Sequence, residues 1–177
     1  MPATPVATTA PRDRGTDMTA REGLERLGLP RVAQIGYVVR SLDAAIALYD
    51  PLFGPFRRMD GSVAEAHYRG RLADCRLELA FGWSGDLEIE LIEWISGDCP
   101  HREFIEKGRE GMHHLQFRVE DCDGWIERLR PLGYQVVWYK HWSADTKFAY
   151  LERADDPTLI EFLQMPAAGP GSAPASS

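Results

Sequence analysis

The chain states one structural unit twice, and that repetition limits what it can fold into more than any other feature. Residues 34–54 read QIGYVVRSLDAAIALYDPLFG; a constant shift of 80 residues lays Gln34 on His114 in the stretch GMHHLQFRVEDCDGWIERLRPLG, residues 111–133. At that shift Ile35 pairs with Leu115, Tyr37 with Phe117, Val39 with Val119, Asp43 with Asp123, Ile46 with Ile126, Pro51 with Pro131 and Leu52 with Leu132. Each copy opens on a polar residue, Gln34 or His114. A single unit of this size cannot bury its own hydrophobic face, so two copies must cover each other or share one core. A length of 177 residues holds one such duplicated domain and is too short for two ordinary ones.

The grammar of each copy is a strand followed by a helix and then more strands. In 114–119, Leu115, Phe117 and Val119 alternate with His114, Gln116 and Arg118, the period-2 signature of a strand with one apolar face. Ser41 and Asp121 are placed to cap the helices that follow, whose inward stripes are Ile46 with Tyr49 and Ile126 with Leu129. Pro51-Leu52-Phe53-Gly54 and Pro131-Leu132-Gly133 close those helices. Strand candidates then run over about 56–69, 75–81 and 87–94 in the first copy, and 134–140, 147–152 and 158–164 in the second. DCPHREFIEKG contains the linking helix, about 99–108, ended by Gly108. The expected fold is α+β: two tandem βαβββ modules, about 31–95 and 111–165, forming a curved, cleft-forming mixed sheet within a domain spanning 31–166. Residues 1–30 read as a mostly disordered tail with a short helix over REGLERLGL, and 167–177 as a second disordered tail.

Composition removes several function classes. The formal charge of −7 argues against nucleic-acid and anionic-membrane partners, both of which favour a basic face. Local cations such as Arg57-Arg58, Lys140 and Lys147 remain available to an anionic substrate, although most basic residues are expected at the solvated surface. Cys75, Cys99 and Cys122 are odd in number and lack CxxC spacing, so neither a disulfide framework nor a thiolate zinc site is expected. Cys122 takes the place of Leu42 in the repeat and reads as a small buried hydrophobe. No apolar run approaches the length of a membrane span, and the first residues lack a continuous apolar signal segment, so the expected location is cytoplasmic.

Four positions stand out for chemistry. Gln34 and His114 begin the first strand of each unit, and Glu90 and Glu161 sit in the last strand of each, in LEIELIEW and TLIEFLQ. Each glutamate has apolar neighbours on both sides. A carboxylate there is costly unless paired, protonated or bound to a metal. One such glutamate alone reads as an outward-facing surface residue; two at equivalent places, matched by the polar pair Gln34 and His114, read as a site. Strand alternation sends His113 to the face opposite His114, as a hydrogen-bonded core or second-layer histidine. YKHWSADTKFAYLE, residues 139–152, offers Lys140, His141, Trp142 and Lys147 for an anionic or aromatic substrate, with packing as the equal alternative for Trp138 and Trp142. Trp83, in FGWSGD, reads as a turn residue.

Over about residues 32–165 the chain resembles the vicinal oxygen chelate superfamily, which includes glyoxalase I, methylmalonyl-CoA epimerase, extradiol dioxygenases and antibiotic-sequestering proteins. The resemblance rests on QIGYVVRSLDAAIALY, on IELIEW followed by GDCPHREFIEKGREGMHHLQFRVED, and on LIEFLQ, and is strongest to the epimerase and lactoylglutathione lyase branch. It implies one divalent metal ion (Zn, Co, Ni or Mn) held by Gln34, Glu90, His114 and Glu161. Where this chain has Gln34 the epimerase branch usually has histidine, whereas zinc-using glyoxalase I has glutamine. The implied activity is that of an isomerase, epimerase or lyase that abstracts a proton next to a metal-chelated carbonyl of a small molecule, with Glu161 as base and Glu90 as return acid. A homodimer is the implied assembly. Two alternatives are a metal-free small-molecule-binding or antibiotic-sequestering protein, and a metal-dependent dioxygenase. The single histidine in the implied ligand set suits an oxygen-activating iron poorly.

Overall fold

A computed structural model describes residues 27–166 of the chain; the expected N-terminal tail up to residue 26 and the tail at 167–177 lie outside the described residues, as do residues 21–26 of the short helix expected over 21–29. The first unit runs β1 (Gln34–Val39), α1 (Leu42–Phe53), β2 (Arg57–Asp60), β3 (Val63–Tyr68), β4 (Arg71–Ser84) and β5 (Leu87–Gly97). A linking helix α2 (Pro100–Glu106) leads to β6 (Gly111–Arg118), α3 (Cys122–Leu129), a 3-10 turn (Arg130–Leu132), β7 (Gln135–Ser143), β8 (Thr146–Arg153) and β9 (Asp156–Gln164). This is the α+β fold of two βαβββ units that the repeat implied.

One expected element is divided. The strand expected over 56–69 becomes β2 and β3, separated at Gly61-Ser62. Both lie along the same edge of β4 in a shared register, Arg57 to Asp60 opposite Phe81 to Glu78 and Val63 opposite Cys75. The break is a kink within one pairing, and a bulge after Val63 shifts the remaining pairs.

The helices begin where the sequence placed them. The Ser41 side chain accepts from the Ala44 N–H, and the Asp121 side chain accepts from the Gly124 N–H. Each helix packs an apolar stripe on the outer face of its own unit: Leu42 and Ala45 of α1 against Ala80 and Leu91, and Trp125 and Leu129 of α3 against Phe162 and Leu151. Cys122 is fully buried in the second of these clusters, as a small apolar residue should be.

Side-by-side pairing of the units then builds the interior. β1 and β6 are antiparallel neighbours at the centre, flanked by the parallel partners β5 and β9. At the far edges β3 meets β7 through His67 opposite Tyr139 and Tyr68 opposite Trp138. The curved sheet therefore closes on itself around a cavity, with both units supplied by one chain. Because helices cover its outside and the cavity lies inside, β5 has both faces covered. That explains why LEIELIEW reads as a nearly continuous apolar run around its glutamates.

Candidate functional site

Strand register alone brings the four sequence-identified residues into two neighbouring rows at the centre of the sheet. Across β5, β1 and β6, one row holds Glu90, Gly36 and His114. The adjacent row, continued into β9, holds Glu88, Gln34, Gln116 and Glu161. Gln34, Glu90, His114 and Glu161 are all buried.

The row through Gly36 has a gap in its middle, and the gap is what the site uses. With no side chain on β1, the His114 ring lies across the strand; a Cβ at position 36 would sit 1.9 Å from His114 Cε1. From there His114 Nε2 reaches Glu161 Oε2 at 3.2 Å and Glu90 Oε2 at 3.5 Å. In the other row the side chains form a ladder. Gln34 Nε2 donates to Glu88 Oε1 at 2.7 Å, which turns Gln34 Oε1 inward. Gln116 Nε2 donates to that Gln34 Oε1 at 2.7 Å and to Glu161 Oε2 at 3.0 Å.

His113 does not go where simple alternation sends it. The pairing of β1 with β6 shifts between Gly36 opposite His114 and Tyr37 opposite Met112, so His113 is the extra residue of a bulge. Its ring is buried beside that of His114, with the two Nδ1 atoms 3.1 Å apart. Burial, followed by the nearby His101 and His114, holds its pKa well below the ordinary histidine value, so it is neutral. A neutral imidazole has one ring nitrogen without a proton, which accepts. His114 Nδ1–H then donates to His113 Nδ1, and His114 Nε2 is directed at the two glutamates.

The two glutamates are not equivalent. Burial acts to raise both pKa values. At Glu90 burial outweighs the neighbouring His114 and the carboxyl is raised above its ordinary value. At Glu161 the His114 interaction, with the Gln116 and Tyr150 hydrogen bonds, outweighs burial and the pKa is lowered. Burial would likewise lower His114, but Glu161 and Glu90 raise it to about 9. Titratable groups whose surroundings push them apart in this way can divide acid and base roles.

The donor set suits a divalent cation. Nitrogen and oxygen ligands about 2.1 Å from one ion lie roughly 3.0–3.5 Å from each other, and the two His114–glutamate separations fall in that range. The carboxylates of Glu90 and Glu161 supply two negative charges, and Gln34 Oε1 is tied to Glu161 through Gln116. A second cluster, His101, His113 and His114, has ring nitrogens within 4.8 Å of one another. It supplies no negative charge for a buried dication, and His113 and His114 already use facing nitrogens on each other, so the glutamate-containing set is the better cation site.

Several residues around the site were not singled out by sequence. His101, on α2, is fully buried 4.8 Å from the His113 ring and 5.3 Å from the Trp138 ring, and it lines the cavity. The Tyr150 hydroxyl lies 3.5 Å from His114 Nε2. Gly36, Glu88 and Gln116 complete the rows. A glycine inside an alternating strand was the available signal for a close approach at position 36. Trp83, read as a turn residue, instead lies in β4 and lines the cavity, because the strand runs on to Ser84. Of the basic residues in 139–152, Lys140 bonds the Ala64 and Glu65 carbonyls and Lys147 pairs with Asp123, while Trp142 and Trp138 line the cavity. The cavity measures about 690 Å³ and has Gln34, Glu90 and Glu161 in its wall. Among the described residues no helix is long and apolar enough to cross a membrane.

Residues 33–150 match the Glyoxalase/Bleomycin resistance protein/Dioxygenase superfamily. Over 107 residues the chain is 30% identical to the uncharacterized protein YqjC of Bacillus subtilis (strain 168), covering 60% of this chain and 68% of that one. Among solved structures, a Streptomyces coelicolor methylmalonyl-CoA epimerase variant in complex with 2-nitronate-propionyl-CoA superposes with a TM-score of 0.56 at 22% identity, over 79% of this chain and 97% of the other. A hypothetical protein from Bacillus halodurans C-125 gives a TM-score of 0.55 at 22% identity, over 75% and 92%. At that identity the two structures speak for the fold.

Proposed function

The chain belongs to the Glyoxalase/Bleomycin resistance protein/Dioxygenase superfamily, and from that premise we propose that it is a divalent-metal-dependent isomerase, epimerase or lyase that moves a proton next to a carbonyl of a small molecule. The observation that carries this reading is the convergence of two unlike buried glutamates on one histidine. Gln34, Glu90, His114 and Glu161 would hold the ion, with zinc, cobalt, nickel and manganese as its candidates. When bound, the ion supplies electrophilic polarisation of a substrate carbonyl and so acidifies the neighbouring C–H.

The chain's own residues do the rest. Glu161, whose pKa is lowered, is ionised and accepts the proton. Glu90, whose carboxyl burial pushes upward, is the group that returns a proton from the other side. Return to the opposite face of the same carbon is epimerisation, and return to the adjacent carbon is isomerisation or the formal lyase outcome. Gln116 orients Glu161 and Gln34 together, and His113 fixes the imidazole of His114. The related epimerase structure with an acyl-CoA analogue makes a thioester one candidate substrate.

The large cavity also suits a protein that binds a small molecule without turning it over, and one experiment separates the two. We expect protein purified without chelator to hold about one divalent ion per chain by elemental analysis, and His114→Ala to lose it. Metal-loaded wild type should catalyse exchange of the substrate α-proton in D₂O, followed by NMR, whereas Glu161→Gln should keep its fold and lose the exchange. Full exchange in Glu161→Gln removes the proposed base. A wild type that takes up none of the four metals leaves only the binding reading.

A further inference from the structure

The cavity contains polar groups that neither the proposed ligands nor the fold uses. Both ring nitrogens of His101, Oε1 of Gln116 and Nε1 of Trp138 are buried without a hydrogen-bond partner. All three residues line the same cavity, beside Glu90 and Glu161. Orphaned buried polar atoms are rare in folded proteins, and here three of the residues that carry them border one cavity. Trp138 offers a donor, Gln116 an acceptor and His101 either.

The outer wall has the opposite character. Leu79 and Phe148 line the cavity as buried residues, and Met59, Trp83, Trp142 and Met165 line it while remaining 43–55% exposed. Large apolar residues left in water usually occur singly; a group of four on one cavity, with aromatic members, marks a surface that is covered in use. The volume of about 690 Å³ suits a ligand well beyond a three- or four-carbon acyl unit. Arg57 and Arg118 add positive charge to the same wall.

We propose that this cavity selects an aromatic-bodied acid: a molecule with neighbouring oxygens at its inner end, beside His101, Gln116 and Trp138, and an aryl-sized apolar body packed between Trp83, Trp142 and Met59. The inner end rests on the function proposed above; the preference for an aryl body rests on the cavity wall alone. The substrate class is thus an aryl-substituted 2-hydroxy acid, in contrast to a small acyl unit on a nucleotide carrier.

The test is isothermal titration of the full chain with 3-phenyllactate, lactate and propionyl-CoA, each with the protein zinc-loaded and chelator-stripped. The expected result is that 3-phenyllactate binds at least tenfold more tightly than lactate and more tightly than propionyl-CoA. Trp142→Ala and Met59→Ala, at exposed positions that leave the core intact, should each weaken 3-phenyllactate about fivefold. Leu132→Ala, exposed away from the cavity, should change nothing. Equal affinity for 3-phenyllactate and lactate, tighter binding of propionyl-CoA, or indifference to both cavity substitutions would overturn the assignment. An aryl preference that persists in a protein unable to hold zinc would support the cavity assignment while removing the metal-dependent reading, so the two ideas fail separately.

Discussion

At the residue scale the site depends on an absence. His114 reaches both glutamates because Gly36, directly across from it, has no side chain. Gly36→Ala places a methyl group inside the imidazole, with the flexible neighbours of His114 already packed, so the ring must leave its position. The expected outcome is a zinc affinity at least tenfold weaker by chelator competition, with an unchanged far-ultraviolet circular dichroism spectrum; an unaltered affinity would mean that the ring is not a ligand. The bulged histidine gives a second case. His113→Phe keeps an aromatic ring and removes the acceptor for His114 Nδ1. Losing a partner that orients a metal-bound histidine typically costs roughly 10–100-fold in affinity, and that range is expected here. Wild-type affinity in His113→Phe would show that the facing nitrogens orient nothing.

At the element scale, the strands that carry the site also show what the sequence could reveal. Gln34, Glu90, His114 and Glu161 were legible because burial of a polar residue at matching places in two repeats has few structural explanations. The internal repeat, however, equates Gly36 with Gln116 and says nothing about why one is empty and the other polar; that answer lies in the pairing of β1 with β6, where Gly36 faces His114 and Gln116 faces Gln34. His113 is the buried, hydrogen-bonded second-layer histidine expected, but its face was misjudged because alternation assumes an unbroken ladder, and a bulge leaves no mark in the apolar pattern. His101 was hidden for a related reason: it sits on the linking helix, outside both repeats, and enters the site only when α2 packs over the centre of the sheet. The same helix carries a pH-sensitive contact. Glu103 is acted on by burial, which would raise its pKa, but hydrogen bonds from Arg69 and Tyr68 bring it down to about 2 from an ordinary 4.5. A carboxyl depressed on folding stabilises the folded state above its unfolded pKa, and that contribution is lost as pH falls from about 4.5 toward 2. The melting temperature of the wild type should therefore fall through that window, and the curve for Glu103→Gln should be shallower there. Parallel curves would remove Glu103 as a source of acid lability.

At the scale of the whole molecule, the ring of strands is closed unequally. β1 and β6 pair over five positions at the centre, whereas β3 and β7 meet at two, supplemented by the Arg69 N–H donating to the Val137 carbonyl. The weaker seam is the one bordered by Trp138 of the cavity wall, and it is held from outside by Arg69. That side chain bridges Glu103 of the linking helix and Glu152 of β8, joining the first unit, the linker and the second unit. Opening of a closed sheet takes the route with the fewest hydrogen bonds, so the β3–β7 seam should separate before the centre does, with the four proposed ligands still assembled on β1, β5, β6 and β9. Hydrogen exchange should find the Arg69 amide less protected than those of the β1–β6 pair. Arg69→Ala removes a two-carboxylate contact near the surface, worth about 1 kcal/mol, and should speed exchange at the seam about fivefold without changing it in β1. If both seams accelerate together, the ring opens as one cooperative unit and Arg69 stabilises the whole fold; if only the β3–β7 seam responds, the cavity can widen at its aromatic wall while its polar floor stays fixed.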